Sequence, residues 1–322
     1  MNPKTTPWLE FEKPIVELEE RIRTLEDSAS LRGLDVTDEV QRLRERVTSL
    51  GREIFDSLDD WQRVQLARHP RRPTTQDYLR LIFDGFNELH GDRAFRDDPS
   101  LIAGMAFLGR RPVMVIGHQK GRDTKSNIHR NFGMAHPEGY RKAMRVMELA
   151  ARNQRPIVTF IDTPGAYPGL GAEERGQGEA IARNLRDMAA LPVPVLVFVT
   201  GEGGSGGALA IGVGNRVYML ENSIYSVISP EGCAAILWRD RAKAADAARA
   251  MKITARDALR LGVIDAVLPE PTGGAHRDHI ATAAVLKSRI IADLDELATV
   301  SAEDLRRQRL DKFLAMGIFQ EG

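Results

Sequence analysis

The residues with the clearest chemical pattern are the glycines of the segment VPVLVFVTGEGGSGGALAIGVG, at 193–214. Several motifs overlap there, and each would support a different chemistry. Gly201-x-Gly203-x-x-Gly206 follows an apolar run as in a dinucleotide-binding loop, and Glu221 stands at the position of a ribose-binding acid. The helix that would follow has only about eight residues before GVGNR interrupts it, which is short for a dinucleotide fold.

A serine hydrolase is the second chemistry that the glycines allow. Gly203-x-Ser205-x-Gly207 matches the nucleophile elbow, in which small residues surround a strained serine. Later acids are available, but the later histidines, His276 and His279, both fall in the loop GGAHRDH. A phosphate-binding P-loop is excluded, because the residues after the glycines are GALA and lack the required Lys-Ser/Thr.

The glycines also fit an oxyanion hole. A strand that ends in glycines before a helix leaves backbone N–H groups free to meet developing negative charge. The alternative is a tight turn in which backbone packs on backbone. Similar turns occur in IDTPGAYPGLGAEERGQGEA (161–180) and ISPEGCAA (228–235). Because the ends of parallel strands can meet at one cleft, these turns favour the functional interpretation.

A β/α framework beginning near residue 77 must carry these turns. LIAGMAFL and PVMVIGH (112–118), on either side of a short turn, predict a β-hairpin. The sequence predicts helices at 140–153 and 179–191, and strands at 156–162, 192–200, 216–220, 224–229 and 263–271. Ser229 is the predicted N-cap of a further helix, with Pro230 at its first position. The alternation predicts a mostly parallel sheet, followed by two C-terminal helices.

The N-terminal sixty residues have a different pattern. Apolar residues there recur at heptad spacing: Ile15, Leu18, Ile22 and Leu25, then Val40, Leu43, Val47, Leu50 and Ile54. This pattern predicts two helices that form a hairpin on their own domain or pack against a partner. The basic segment that follows is predicted to be a boundary loop with solvated arginines, or a phosphate contact: Arg63, Arg68, Arg71 and Arg72. We divide the chain into a helical arm (1–60), a catalytic domain (61–298) and a C-terminal helix and tail (299–322).

Composition limits the class of protein. The 322 residues include 45 basic and 45 acidic ones, and this balance argues against a general nucleic-acid binder. The apolar runs are too short to cross a bilayer, and no signal peptide is evident. The single cysteine, Cys233, excludes an intrachain disulfide and a cysteine-based zinc site. We expect a cytoplasmic enzyme or enzyme subunit that is not bound to a membrane.

Long segments of the sequence match one known family in its own order: GHQKGR (117–122), RNFGM (130–134), PEGYRKA (137–143), FIDTPGAYPG (160–169), AEERGQ (172–177), IARNL (181–185), GEGGSGGALAIG (201–212) and SVISPEGCA (226–234). Through these segments, the chain resembles the carboxyltransferase alpha subunits of bacterial multi-subunit acetyl-CoA carboxylase from about residue 8 to residue 310. The resemblance implies an α/β crotonase-like (ClpP/crotonase) fold, a spiral of ββα units with an N-terminal helical arm.

The same resemblance implies a reaction and partners. The carboxyl group of carboxybiotin, delivered by a biotin carboxyl carrier protein, is transferred to acetyl-CoA, giving malonyl-CoA for fatty acid biosynthesis. The chain would work in an α₂β₂ assembly with a beta subunit, alongside biotin carboxylase in the wider complex. It would hold no covalent cofactor and no metal, and the zinc would belong to the beta subunit.

The resemblance also implies site residues. The N–H groups of Gly206 and Gly207 would bind the biotin ureido oxygen, with Ala208 as an alternative second donor. Further substrate contacts are expected from five residues: Gly203, Gly204, Tyr167, Lys120 and Arg122. Lys120 and Arg122 fall in a basic stretch after a strand, which is either a contact to a CoA phosphate or a plain surface loop. Tyr167 either lines the cleft or supports its turn and the core. Two alternatives stay open at this point. One is a crotonase-type hydratase or hydrolase that uses Glu202 as acid or base, and the other is a non-catalytic docking subunit.

Overall fold

A computed structural model describes residues 8–317 of the chain, and a mixed sheet forms its centre. The strands are β1 Asp84–Glu88, β2 Leu101–Leu108, β3 Arg111–His118, β4 Ile157–Thr163, β5 Val195–Gly204, β6 Arg216–Leu220, β7 Ile224–Ser226 and β8 Ala266–Leu268. Their order is β1-β2-β3-β4-β5-β6-β8, and β7 pairs with the end of β5. β1, β2 and β3 are antiparallel and the other pairs are parallel. The predicted hairpin and mostly parallel sheet are therefore confirmed.

Helices cover both faces of the sheet. They are α1 Lys13–Arg32, α2 Thr37–Asp56, α3 Asp60–Ala67, α4 Thr75–Ile82, α5 Thr124–His129, α6 Pro137–Arg152, α7 Leu170–Glu174, α8 Gln177–Ala189, α9 Ser205–Leu209, α10 Pro230–Trp238, α11 Ala244–Met251, α12 Ala255–Arg260, α13 His279–Leu297 and α14 Ala302–Leu314. As predicted, the Ser229 hydroxyl caps α10 by accepting the Gly232 N–H. Across the described part of the chain, no helix combines the length and apolarity that a bilayer span requires.

The central strands are apolar on both faces because helices cover both. Ile157 and Ile161 of β4 pack in the cluster that includes the methionines of α6 and α8. Val158 and Phe160 of the same strand pack in a second cluster with α4 and α13. Some predicted bounds were wrong. The 192–200 strand starts later and runs on through the glycines to Gly204, and the 224–229 and 263–271 strands are reduced to three residues each.

The N-terminal helices are present as predicted and lie next to each other, with the Arg44 guanidinium 2.8 Å from the Glu26 carboxylate. The expectation of a loop with solvated arginines was wrong for much of the basic segment, because α3 occupies Asp60–Ala67. Arg63 and Arg72 are only 4% and 3% exposed, and Arg72 donates hydrogen bonds to the Glu270 carboxylate and the Thr200 carbonyl. The three-part division of the chain stays a prediction.

Candidate active site

Three turns meet at the carboxyl edge of the sheet, as the sequence predicted. Thr163 at the end of β4 pairs with Gly203 of β5, and Gly204 pairs with Ser226 of β7. The turn after β5 lies directly on the turn after β4, because a Cβ on Gly204 would lie 2.2 Å from the Pro164 carbonyl oxygen. The glycines here allow a close approach between two backbones.

The turn after β5 presents free amides. Within residues 8–317, the N–H groups of Gly206 and Gly207 have no hydrogen-bond acceptor, as expected for the first residues of a helix. α9 has only five residues, so its dipole adds little, and an anion bound here would be held by the amides themselves. The assignment of Gly206 and Gly207, and of Ala208 as an alternative donor, remains a prediction.

An apolar cavity of about 430 Å³ lies beside this turn, and this volume suits part of a small organic ligand. Its lining includes Ser205 and Leu209 of α9, Tyr225 of β7, and Phe313 and Met316 near the C-terminus. Burial raises the pKa of the Tyr225 phenol to about 12, so the phenol is neutral at physiological pH. Phe313 and Met316 were not predictable as pocket residues, because nothing in their sequence pattern distinguishes a pocket wall from an ordinary amphipathic helix.

Lys120 lies under the glycine turn in an ion pair. Its Nζ is 2.7 Å from Asp162 Oδ1 and 2.8 Å from Glu202 Oε2, and its side chain is 19% exposed. Arg68 binds the other oxygen of Glu202 at 2.7 Å and also contacts Glu231. Because Lys120 already contacts two carboxylates, a phosphate would have to compete with both of them for it.

The other predicted substrate contacts have less specific surroundings. Arg122 is half-exposed and pairs with Asp77, so it remains accessible to a ligand. The Tyr167 ring lies 4.5 Å from the His136 ring, measured between centroids, and against Gly169, where it supports the turn after β4. Their roles in substrate binding stay predictions.

The geometry argues against the competing enzymes. Burial alone would raise the pKa of Glu202, but Lys120 and Arg68 hold it below the usual range, so the carboxylate is ionised and cannot serve as a hydratase acid. Both of its oxygens are paired with these cations, which opposes its use as a base. Ser205 has the positive φ of an elbow serine, 51°. Neither of the later histidines pairs with it, since His276 binds Glu12 and His279 binds the Arg71 carbonyl.

The dinucleotide interpretation also fails. α9 ends at Leu209, so the long helix that follows such a loop is missing. Glu221, the expected ribose-binding acid, instead pairs with Arg256.

In the described part of the chain, one buried group has the donor types of a metal site. Glu12, His69 and His276 place ligating atoms within 4.8 Å of one another. However, Arg277 also contacts the Glu12 carboxylate, at 3.4 Å, and a guanidinium there opposes binding of a cation. We interpret this group as a hydrogen-bonded anchor for the start of α1.

Solved structures show the same fold. A transcarboxylase 12S structure with methylmalonyl-coenzyme A and methylmalonic acid bound aligns with a TM-score of 0.58 at 21% identity, covering 71% of this chain and 42% of that one. This chain thus spans less than half of the transcarboxylase chain. A Pseudomonas malonate decarboxylase hetero-tetramer in complex with coenzyme A aligns with a TM-score of 0.55 at 20% identity, covering 66% of this chain and 85% of that one. The fold is that of the crotonase-type carboxyltransferases, as the resemblance implied.

Sequence relatives narrow this class to one family. Residues 8–317 match the family described as acetyl co-enzyme A carboxylase carboxyltransferase-like. Proteins named acetyl-coenzyme A carboxylase carboxyl transferase subunit alpha are 59% identical in Syntrophotalea carbinolica, over 98% of this chain and 99% of that protein, and 58% identical in Escherichia coli O139:H28, over 96% and 98%. The chain belongs to this family of carboxyltransferase alpha subunits.

Proposed function

We propose that this chain is the alpha subunit of an acetyl-CoA carboxylase carboxyltransferase and binds the biotin side of the reaction. The observation that carries this proposal is the pair of free N–H groups, on Gly206 and Gly207, where three strand ends meet. The cavity beside the turn is apolar and suits the hydrocarbon part of biotin. Membership of the family supports the same assignment.

The mechanism follows from where negative charge develops. When the N–CO₂ bond of carboxybiotin breaks, its electron pair stays on the ureido group, whose oxygen becomes an anion. Backbone N–H groups that already point at this oxygen stabilise it without rearranging. The biotin anion then takes the methyl proton of acetyl-CoA, and the enolate carbon attacks the released CO₂ to form malonyl-CoA. No side-chain base is needed, consistent with an ionised, fully paired Glu202.

A second anion, the thioester enolate, needs a second set of donors. We assign these to a beta subunit of the same fold in an α₂β₂ assembly, which would also hold the zinc. The carboxybiotin would arrive on a biotin carboxyl carrier protein loaded by biotin carboxylase, in the cytoplasm. In this chain, Gly203 and Gly204 shape the site, while Tyr167, Lys120 and Arg122 remain candidates for substrate contact.

The test compares the chain with and without its beta subunit. We expect carboxyl transfer between malonyl-CoA and free biotin only in the assembled complex, because each subunit supplies one of two oxyanion sites. Robust turnover by the isolated chain would show that both sites lie within it. An inactive complex would instead favour a docking subunit.

A further inference from the structure

Five charged side chains form a largely buried network below the glycine turn, and most of them have no part in the mechanism above. We call them the charge network: Arg68, Lys120, Asp162, Glu202 and Glu231. Lys120 is at its centre, because its ammonium bridges two carboxylates that would otherwise face each other. The Asp162 and Glu202 side chains are only 9% and 10% exposed, so water screens them weakly.

Each member of the charge network comes from a different element. Lys120 follows β3, Asp162 is in β4 and Glu202 is in β5, while Arg68 follows α3 and Glu231 lies in the first turn of α10. The network therefore joins the ends of three neighbouring strands to the start of α10. These elements border the three converging turns.

The network is connected directly to the backbone of the oxyanion turn. Glu202 immediately precedes Gly203, and its N–H donates to Asp162 Oδ1 at 3.0 Å. The same oxygen lies against Gly201, where a Cβ would approach it to 2.4 Å. A shift of either carboxylate is consequently transmitted to the turn that carries Gly206 and Gly207.

The charge network has two positive and three negative members, so it cannot attract an anion by its net charge. Both cations, Arg68 and Lys120, already pair with carboxylates of the network. Burial alone would lower the pKa of Lys120, but Asp162 and Glu202 hold it above its usual value, so the ammonium stays charged. Lys120 therefore has a positional role in the network, in addition to any contact that it makes with substrate.

We propose that Lys120 is a positioning residue for carboxyl transfer: its ammonium holds the Asp162 and Glu202 carboxylates together and thereby directs the Gly206 and Gly207 amides. This inference rests on the proposed function of those amides. Without the ammonium, two buried carboxylates repel each other and the ends of β4 and β5 move apart. Catalysis is sensitive to such displacements, because a shift of about 1 Å can lower a rate about 10²-fold.

The experiment uses the chain assembled with its beta subunit. Lys120→Met should lower kcat by about 10²-fold and leave the KM for acetyl-CoA within about threefold, because the amides act on the transition state. The matched control is Lys142→Met. Lys142 is also buried and pairs with a carboxylate, Asp97 at 2.6 Å, but it lies on α6 and outside the charge network. The variant Lys142→Met should have a lower melting temperature and keep the wild-type kcat per assembled complex.

A second variant tests the repulsion directly. Lys120→Met/Glu202→Gln removes one of the facing carboxylates and should recover at least about tenfold in kcat over Lys120→Met, a coupling that independent sites lack. Absence of recovery, or equal effects of Lys120→Met and Lys142→Met on kcat, would overturn the inference. If Lys120→Met does not assemble, assembly of Lys120→Met/Glu202→Gln carries the test, and a double variant that also fails to assemble contradicts the inference. An inactive wild-type complex would instead contradict the proposed function.

Discussion

Gly207 and Gly165 belong to turns after different strands and are in direct backbone contact. A Cβ on Gly207 would lie 2.6 Å from the carbonyl carbon of Gly165, closer than real Cβ atoms approach. One residue earlier, a Cβ on Gly206 would face only the Ile181 side chain, at 3.3 Å. Adjacent glycines of one motif are thus required to different degrees. Gly207 holds two turns together, whereas Gly206 has a neighbour that can move.

This difference predicts opposite results for two alanine variants. Gly207→Ala should push the two turns apart, lower the melting temperature and reduce kcat by about 10²–10³-fold, the usual loss when an oxyanion donor is misplaced. Gly206→Ala should assemble normally and keep kcat within about fivefold, because its N–H is retained and Ile181 can yield. The measurements are kcat and thermal unfolding of each assembled complex. Wild-type kcat for Gly207→Ala would remove this turn from the oxyanion role.

Ser205→Ala should retain most of the activity. The Ser205 hydroxyl has no hydrogen-bond partner among the described residues, and the proposed chemistry uses only the neighbouring amides. A catalytic serine would lose several orders of magnitude on this change. The check is kcat for carboxyl transfer, together with labelling of the native chain by a fluorophosphonate. Covalent labelling at Ser205, with loss of activity in the alanine variant, would restore the hydrolase interpretation.

The turns were predictable from sequence because they have local signatures. Glycines after apolar runs mark strand ends, and the Ser229-Pro230 pair marks the start of α10. Because the predicted strands are parallel, their carboxyl ends lie at the same edge of the sheet. The convergence of the three turns could therefore be predicted from the sequence pattern alone. The resemblance added the chemistry that the glycine pattern left open between several motifs.

The partners of the buried charges were not predictable from sequence. Arg72 and Glu270 are 198 residues apart in sequence, and only the folded sheet brings them together. For the same reason the sequence predicts only a substrate contact or a surface-loop cation at Lys120, since Asp162 and Glu202 lie 42 and 82 residues away. A sequence pattern reports periodicity along one element, whereas these pairs depend on contacts between elements.

His118 predicts a pH dependence of stability. The ring is fully buried at the end of β3, where it lies against the Gly207 backbone. Burial, aided by the Lys120 charge, lowers the pKa of His118 to about 3. In the unfolded chain His118 binds a proton below about pH 6.5, whereas in the native state it stays neutral down to about pH 3. The free energy of unfolding therefore falls as the pH falls from about 6.5 towards 3.

The variant His118→Leu should remove this contribution. We expect a shallower loss of stability between pH 6.5 and pH 4, because a leucine takes up no proton in the unfolded chain. Urea unfolding of the wild type and of His118→Leu at several pH values measures how the free energy of unfolding depends on pH. An unchanged pH slope would show that His118 binds its proton as readily in the native state as in the unfolded chain.

The start of α1 should loosen on acidification through Glu12. Its buried carboxylate accepts hydrogen bonds from the Leu9 N–H and from His276 Nε2, at 3.0 and 2.8 Å. Burial alone would raise the pKa of Glu12, but His276 and these hydrogen bonds hold it below its usual value, whereas burial lowers the pKa of His276. Both groups bind protons more readily in the detached state. The anchor is therefore at full strength above about pH 6.5 and weakens as the pH falls.

Hydrogen exchange of the α1 amides, compared with those of α6 in the same sample, measures this loosening. Glu12→Gln should accelerate α1 exchange at pH 7 by an amount equivalent to about 2 kcal/mol, because Arg277 and His276 lose a charged acceptor in a buried site. Glu19→Gln is the matched control. Glu19 also pairs with Arg277, at 2.8 Å, but is partly exposed, and such pairs contribute less than about 1 kcal/mol. Equal protection of α1 in Glu12→Gln and the wild type would show that other contacts of the helix hold it in place.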